Sequence, residues 1–425
     1  MFKKIKKLLK VLGPGVITGA ADDDPSGIAT YSQTGAQFGY GQLWTAIFML
    51  PFQTAVQEVC GRIGAVTGKG IAAVVRQHYN AYILYGVVLL VLIANTINIG
   101  ADIGAMAASL QLLVPINFVF LTISFTALML ILEIFTSYKV YAKILKWLAL
   151  SLISYPLTVF IVQEPWTKIL RATFVPHFEF TFAFFFIITG VLGTTISPYM
   201  FFWQASEENE EERMNHLLSR GGKPRLSWHF IKSIRIDTIL GMIASEIGTW
   251  AIIVVAATVL YSHGITNIAT ASDAAKALEP LVRTFPNAGF WAKALFATGI
   301  IGLGLLSVPV LAGSAAYALS EAFSWKEGLY LKLKQAHGFY GVITIATIIG
   351  LLINFIGIDP MKALVVTAVI NGVVAVPLIF IIWLIGKNKK IMGDYKSGWL
   401  SNSLVFMTFI GMGIAALGML FSFMK

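Results

Sequence analysis

The sequence predicts an all-α integral membrane protein built from two inverted halves, and three observations lead to this fold class. Hydrophobic residues make up 57% of the 425 residues and charged residues only 12%, with a mean hydropathy of +0.77. A soluble protein of this size does not have such a composition. Apolar windows long enough to cross a bilayer recur eleven times along the chain. The first and the sixth of these windows are interrupted by proline and small polar residues.

The predicted spans follow one another with short connections. They cover residues 12–40 (broken), 43–61, 81–113, 117–136, 144–163, 181–203 (broken), 233–261, 290–322, 338–356, 361–386 and 400–423. We expect one transmembrane domain over residues 1–425. Within it, residues 1–11 form a cytoplasmic arm, 12–163 a first five-helix repeat, 181–386 a second five-helix repeat and 400–423 an extra helix.

The net charge of +10 reports membrane topology. Most Lys and Arg residues fall in alternate connections, which become cytoplasmic if the N-terminus is cytoplasmic. Eleven spans then place the C-terminus outside the cytoplasm. The basic run Met1–Lys10 has no convincing cleavage site after it, so we expect it to be retained. This distribution predicts a multi-pass protein of the cell membrane and does not indicate a nucleic-acid partner.

The sequence gives no positive evidence for an enzyme. Cys60 is the single cysteine and is expected to be a small buried apolar residue. All six histidines fall in predicted loops or at span ends, and no catalytic triad or phosphate-binding glycine loop is present. We therefore predict neither catalytic residues nor a cofactor.

The first interrupted span carries the most informative segment, Ala20-Ala21-Asp22-Asp23-Asp24-Pro25-Ser26-Gly27. Unpaired charge at membrane depth is costly and persists mainly where it faces a cavity, a pathway or an ion. Irregular backbone is tolerated at the same places. An isolated Pro-Gly break is better explained as a simple kink, but three acidic residues together with a matching break in the sixth span favour a cation site.

The second interrupted span contains Gly193-Thr194-Thr195-Ile196-Ser197-Pro198-Tyr199. Each break opens a run of five spans. Interrupted helices at matching positions of two halves are typical of inverted-repeat transporters with a site near the bilayer midplane. Because each half has an odd number of spans, the two halves must have opposite orientation.

Several motifs resemble the first helix and two loops of the Nramp metal-ion transporters. They are Gly13-Pro14-Gly15, Asp24-Pro25-Ser26-Gly27, Gly35-Ala36-Gln37-Phe38-Gly39-Tyr40, Gly68-Lys69 and Ile391-Met392-Gly393. The resemblance covers most of the chain and implies a LeuT-like fold and transport of divalent metal ions. Five positions depart from the usual family pattern: Gly27 stands for Asn, Thr194 for Ala, Ser197 for Met, and Tyr199 and Gln204 each for His. These departures resemble the Nramp-related magnesium transporters.

The resemblance places the metal at the two breaks. We expect Asp24 to be the central carboxylate, with the carbonyl groups of Gly27 and Thr194 and the hydroxyl of Ser197 as direct or water-mediated ligands. Oxygen ligands suit Mg²⁺ and Mn²⁺, whereas the thioether that Ser197 replaces suits softer metals.

Further polar residues of the spans are candidates for the pathway or for proton transfer. Asp22 and Asp23 either line the pathway or pair with backbone donors. Asp102 is either a remnant proton site or a structural acid, since Ile99 stands where the family has a second acid. The remaining candidates are Tyr199, Gln204 and Asn371, while Glu133 and Glu246 are expected to be structural or interfacial. The run Glu207–Arg213 is expected to begin a solvated cytoplasmic loop, with an acidic antechamber as the alternative.

The sequence thus predicts a monomeric secondary transporter that imports Mg²⁺, and Mn²⁺ as well, by alternating access. It is expected not to depend on protons, because both histidines of the family's sixth helix are missing and only Asp102 remains of the acidic pair. A classical proton-coupled Mn²⁺/Fe²⁺ symporter is the alternative within transport. A cation channel, a membrane enzyme or a non-transporting metal sensor are the alternatives from other classes. The predicted partners are the divalent ion and the lipid bilayer.

Overall fold

A computed structural model describes residues 14–135, 153–161, 166–214 and 226–424. Within these ranges the chain forms helices and connecting loops, with no β-strand. In chain order the helices are α1 (Pro14–Asp22), α2 (Pro25–Phe38), α3 (Trp44–Thr67), α4 (Ile71–His78), α5 (Ala81–Gln111), α6 (Phe118–Phe135), α7 (Ser154–Ile161), α8 (Trp166–Phe174), α9 (Phe182–Thr195), α10 (Pro198–Met214), α11 (Trp228–Val259), α12 (Ala271–Ala275), α13 (Glu279–Val282), α14 (Ala288–Phe323), α15 (His337–Ile353), α16 (Pro360–Lys387), α17 (Lys389–Met392) and α18 (Trp399–Phe423).

Helices lie at ten of the eleven predicted windows, and the fifth window is described only over α7. Seven segments of the described chain are long and apolar enough to cross a membrane: Ala81–Gln111, Phe118–Phe135, Phe182–Arg213, Trp228–His263, Ala288–Phe323, Pro360–Lys387 and Trp399–Phe423. The total of eleven spans stays a prediction. Helix α3 runs beyond its predicted end at residue 61 because Gly68, with a φ of 61°, caps it in the left-handed conformation. The predicted arm at residues 1–11 lies outside the described residues.

Both predicted breaks are confirmed. Helix α1 ends at Asp22, and Asp24 is extended, with φ −62° and ψ 173°, before Pro25 starts α2. Helix α9 ends at Thr195, and α10 starts at Pro198. Proline lacks an amide hydrogen and disfavours a helical residue before it, so it favours the first turn of a helix over the interior. In the first break the unwound residues are therefore Asp23 and Asp24, and Gly27 lies in the first turn of α2.

Close backbone contacts fix the broken helices against two long continuous helices. Helices α1 and α2 pack on α11, and α9 packs on α16. A Cβ on Gly19 of α1 would lie 2.4 Å from the carbonyl oxygen of Gly241 in α11. A Cβ on Gly193 of α9 would lie 2.0 Å from the carbonyl oxygen of Ala368 in α16. Only glycine allows such an approach, so main chain packs directly on main chain beside both breaks.

The acidic run after the second break differs from the prediction. It belongs to helix α10, and Glu207, Glu208, Glu210 and Glu212 are all buried. Glu210 accepts hydrogen bonds from the hydroxyl of Tyr317 and, at 2.7 Å, from the backbone N–H of Leu329. The prediction of a solvated loop was wrong for these four residues, and the donors to Glu210 come from far along the chain.

Candidate metal centre

Asp24 lies at the centre of the first break and is fully engaged by neutral donors. Its Oδ1 atom accepts hydrogen bonds from the Ser26 hydroxyl at 2.5 Å and from the Gly27 N–H at 2.8 Å. Its Oδ2 atom accepts one from the Asn98 side-chain amide of α5 at 3.0 Å. The carboxylate thereby caps α2, whose positive N-terminal end favours a negative charge. All partners named here are uncharged, so none of them forms an ion pair with Asp24.

The second break brings its oxygen atoms to the same place. Thr194 Oγ1 lies 3.5 Å from Ser26 Oγ. A Cβ on Gly27 would lie 3.2 Å from Thr194 Oγ1 and 3.4 Å from the carbonyl oxygen of Asp22. The Ser197 hydroxyl donates to the carbonyl groups of Gly193 and Thr194, both at 2.7 Å. The residues predicted as metal ligands are thus neighbours in space, and Ser197 also closes the last turn of α9.

The chemistry of this centre is that of a hard-cation site. Asp24 supplies one carboxylate, and Ser26, Thr194 and Ser197 supply hydroxyl oxygens. Asn98 Oδ1 is buried and has no hydrogen-bond partner among the described residues, so it is a further acceptor beside Asp24. Mg²⁺ and Mn²⁺ take carboxylate, carbonyl, hydroxyl and water ligands. Across the described part of the chain, no three His, Cys, Asp or Glu side chains are grouped so that they could hold a metal.

Sequence reasoning missed Asn98 and Ser26 as members of this centre. Ser26 follows Asp24 by two residues, a spacing at which a serine hydroxyl reaches a cap carboxylate. Asn98 lies in a helix that is apolar on all sides, so its position in the sequence does not show which neighbour it faces. The signal available was polarity alone, since an amide in a membrane span needs a partner.

Two of the pathway candidates contact other elements. The Asp102 Oδ2 atom accepts a hydrogen bond from the Ser307 hydroxyl of α14 at 2.6 Å, while its Oδ1 atom has no partner among the described residues. The Tyr199 hydroxyl donates to the carbonyl oxygen of Ala21 at 2.8 Å, which ties α10 to the end of α1. Tyr199 therefore spans the two breaks, whereas Asp102 is tied to α14.

Gln204 and Asn371, two further pathway candidates, are also buried. Gln204 accepts a hydrogen bond from the Thr18 hydroxyl at 2.6 Å and donates to Glu208 at 2.8 Å, so it links α1 to α10. Both polar atoms of the Asn371 side chain lack a partner within the described ranges. Neither residue shows a contact with Asp24, and their roles stay predictions.

Asp22 and Asp23 point away from the partners of Asp24. The Asp22 Oδ2 atom accepts hydrogen bonds from Gln53 of α3 and Ser245 of α11. The Asp23 Oδ1 atom accepts one from the Thr249 hydroxyl of α11 at 3.4 Å. Both residues are fully buried. One predicted alternative was that Asp22 and Asp23 pair with backbone donors. The donors named here are side chains instead.

Comparison with known proteins decides the family. The family model described as natural resistance-associated macrophage protein-like, Nramp, matches residues 15–422. The chain belongs to the Nramp family. The divalent metal cation transporter MntH of Caldanaerobacter subterraneus subsp. tengcongensis is 26% identical over 397 residues, which are 92% of this chain and 88% of that protein.

Solved structures show the fold. A crystal structure of the Eremococcus coleocola manganese transporter, in complex with an aromatic bis-isothiourea substituted compound, has a TM-score of 0.75 at 16% identity, over 98% of this chain and 86% of that one. A nucleobase-cation-symport-1 family transporter with bound bromovinylhydantoin has a TM-score of 0.57 at 12% identity, over 97% and 91%. The predicted LeuT-like fold is thereby confirmed. Membership of the Nramp family also confirms a multi-pass membrane protein that is not an enzyme.

Proposed function

We propose that this protein transports divalent metal ions across the membrane by alternating access, with Asp24 as the central ligand. The observation that carries this proposal is the meeting of both helix breaks at one buried carboxylate surrounded by neutral oxygen atoms. Membership of a family of metal transporters supports it.

The identity of the transported ion, Mn²⁺ or Mg²⁺, is a separate part of the proposal. The names of the relatives refer to divalent metal cations and to manganese, so they favour Mn²⁺, the ion of the classical alternative, over the predicted preference for Mg²⁺. The magnesium branch finds no support in these names. One observation keeps Mg²⁺ as the second candidate: Ser197, a hydroxyl, stands at the break where a thioether would select softer metals.

The two breaks provide the machinery of alternating access. The ends of α1 and α9 direct the negative ends of their helix dipoles at the site, which favours a cation. Thr18, Gln204 and Tyr199 connect α1 with α10. These contacts have to break or re-form when one side of the site opens, so the half-helices are the elements that move relative to α11 and α16.

Coupling to protons is proposed to be dispensable, as the sequence predicts, although the relatives support the classical symporter better. Moving a divalent ion through 100 mV yields about 4.6 kcal/mol, twice the value for one charge. At about 1.4 kcal/mol per tenfold ratio, this sustains a gradient of roughly a thousandfold. A membrane potential therefore suffices energetically.

Uptake into proteoliposomes tests both parts. We expect saturable Mn²⁺ uptake that shows counter-exchange and is inhibited by Mg²⁺. Ohmic single-channel currents, or uptake no faster than in empty liposomes, would refute a carrier. A pH-sensitive dye in the lumen reports coupling: metal-dependent acidification at clamped potential would show proton coupling and make Asp102 the leading candidate for the carrier group.

A further inference from the structure

An apolar groove lies between α3, α9 and α18, and its volume is about 470 Å³. Helix α9 and the residue after it line the groove from Phe184 to Ile196, and α18 lines it from Phe406 to Ala415. Sites for small molecules usually have volumes of about 300–1,000 Å³. The groove is therefore large enough to hold a ligand, and the chemistry and length of its walls indicate which class of ligand fits.

The walls of the groove offer nothing to a polar ligand. Three lining side chains carry a nitrogen or oxygen atom, and each of these atoms already has a partner. Trp44 Nε1–H donates to the carbonyl oxygen of His177 at 3.3 Å. The hydroxyl groups of Thr45 and Thr408 donate to backbone carbonyl groups three and four residues earlier, at 2.7 and 2.8 Å. A polar group would lose its water in the groove without gaining a side-chain partner, so the occupant must be apolar.

The length of the groove matches one leaflet of a bilayer. The stretch from Phe184 to Ile196 covers about 18 Å at about 1.5 Å per residue. The hydrocarbon region of one leaflet is about 15 Å deep, half of the usual bilayer core. Ile196 lies at the second break, which transporters of this architecture place near the midplane. At the opposite end Trp44 donates to a loop carbonyl, as tryptophan does at the membrane interface.

The groove is continuous with a surface that faces lipid. Helix α18 is long and apolar enough to cross the membrane, and its residues Ile410 and Ile414 line the groove and are exposed. At the inner end, Phe406 packs on Trp383 of α16, with ring centroids 4.9 Å apart. A helix of a second copy of this chain would cross both leaflets, whereas the lined stretch of α9 ends at the break. A lipid chain of one leaflet therefore fits the groove better than a second copy does.

We propose that the groove binds one acyl chain of a membrane phospholipid, with the methyl end of the chain against Ile196. Ile196 belongs to neither half-helix, because α9 ends at Thr195 and α10 starts at Pro198. The residues on either side of Ile196 have protein partners. The Thr195 hydroxyl lies 3.0 Å from the Tyr31 hydroxyl of α2, and the Ser197 hydroxyl donates to carbonyl groups of α9. The lipid chain thus supplies apolar contacts to the interrupted segment that carries one of the proposed metal ligands.

Photolabelling of the full-length protein in liposomes of phosphatidylcholine, with a chelator of divalent ions present, tests the proposal. The probe is a phosphatidylcholine with a diazirine on one acyl chain, near either its methyl end or its carboxyl end. Mass spectrometry should find the methyl-end probe on Leu192 and Ile196, and the carboxyl-end probe on Trp44 and Phe178. Leu192 and Ile196 are only 7% and 1% exposed, so lipid that stays outside the groove does not label them.

Two glycine variants sharpen the test. Gly411 lines the groove, and a Cβ added to it would have no heavy atom within 4 Å. The side chain of Gly411→Leu should fill this space without a clash and abolish the labelling of Leu192 and Ile196. Gly86→Leu is the matched control, because Gly86 is an exposed glycine of the long apolar helix α5, also has open space around its Cβ position and does not line the groove. Its labelling should equal that of the parent protein.

Equal melting temperatures of the parent and both variants would show that a loss of labelling is not a loss of fold. Three outcomes would overturn the lipid site. They are equal labelling of Ile196 by the two probes, undiminished labelling in Gly411→Leu, or a dimer of the parent protein that Gly411→Leu dissociates, which would assign the groove to a second copy. Because no divalent ion is present, failure here leaves the proposed metal transport untouched. Conversely, a failure to transport Mn²⁺ would not change the labelling pattern.

Discussion

Replacement of Asp24 by Asn separates the role of its charge from its role as a helix cap. Asn caps helices as well as Asp does, so the Ser26 hydroxyl and the Gly27 N–H keep their acceptor. The Asn98 amide can rotate to offer its free Oδ1 atom to the new NH₂ group. We therefore expect Asp24→Asn to change the free energy of unfolding by no more than about 1 kcal/mol.

Metal binding should respond very differently. Two unit charges 4 Å apart interact by about 4 kcal/mol at an effective dielectric constant of 20, so a divalent ion and a carboxylate interact by about 8 kcal/mol. Even if desolvation offsets three quarters of this, about 2 kcal/mol remains. The dissociation constant for Mn²⁺ should therefore increase at least about 30-fold.

Asp359→Asn is the matched control for this measurement. Asp359 also precedes a proline and caps a helix, α16, where it accepts hydrogen bonds from the N–H groups of Met361 and Lys362 at 2.9 and 3.4 Å. Calorimetric titration of Mn²⁺ into both variants should give parental affinity for Asp359→Asn only. Parental affinity in a folded Asp24→Asn variant would refute Asp24 as the central ligand.

Two further predictions concern selectivity and pH. The double variant Gly27→Asn, Ser197→Met restores an amide and a thioether, so its affinity for Cd²⁺ relative to Mg²⁺ should increase. An unchanged ratio of Cd²⁺ to Mg²⁺ affinity in competition binding would contradict a selectivity set by ligand softness. The new side chain at residue 27 must displace Thr194, whose Oγ1 is 3.2 Å from the Cβ position. Burial raises the pKa of Glu327, outside the spans, to about 9, and the neighbouring charge of Glu321 adds to the rise. Between pH 4.5 and 9 the folded state holds a proton on Glu327 that the unfolded chain releases, so the free energy of unfolding should fall as the pH rises from about 4.5 to 9. Glu327→Gln should flatten this decline when thermal unfolding is measured across that range. An unchanged slope would show that other groups cause the decline.

The sequence was sufficient to predict the features that depend on local chemistry. Pro25 and Pro198 favour a helix start and lie among small polar residues, so both breaks were predictable. The apolar windows predicted the long helices, because the length of an apolar run is also a local property of the sequence. The helix ends differ by a few residues where a cap such as Gly68 sets the boundary.

Features that depend on contacts between distant segments were not predictable. Glu210 of α10 takes its hydrogen bonds from Tyr317 and Leu329, which lie more than one hundred positions away. Likewise, the partners of Asp22 and Asp23 come from α3 and α11 rather than from the neighbouring backbone. A charge in a sequence predicts exposure on average, but its partner is determined by the tertiary fold.

The glycine contacts of the broken helices bear on how the protein moves. Helices usually interlock through ridges of side chains, which favour discrete packing positions. At Gly19 against Gly241, and at Gly193 against Ala368, the main chains touch with no ridge between them. A half-helix that shifts there has no interlocked side chains to cross. Beside the candidate metal centre, small shear displacements therefore meet little steric resistance.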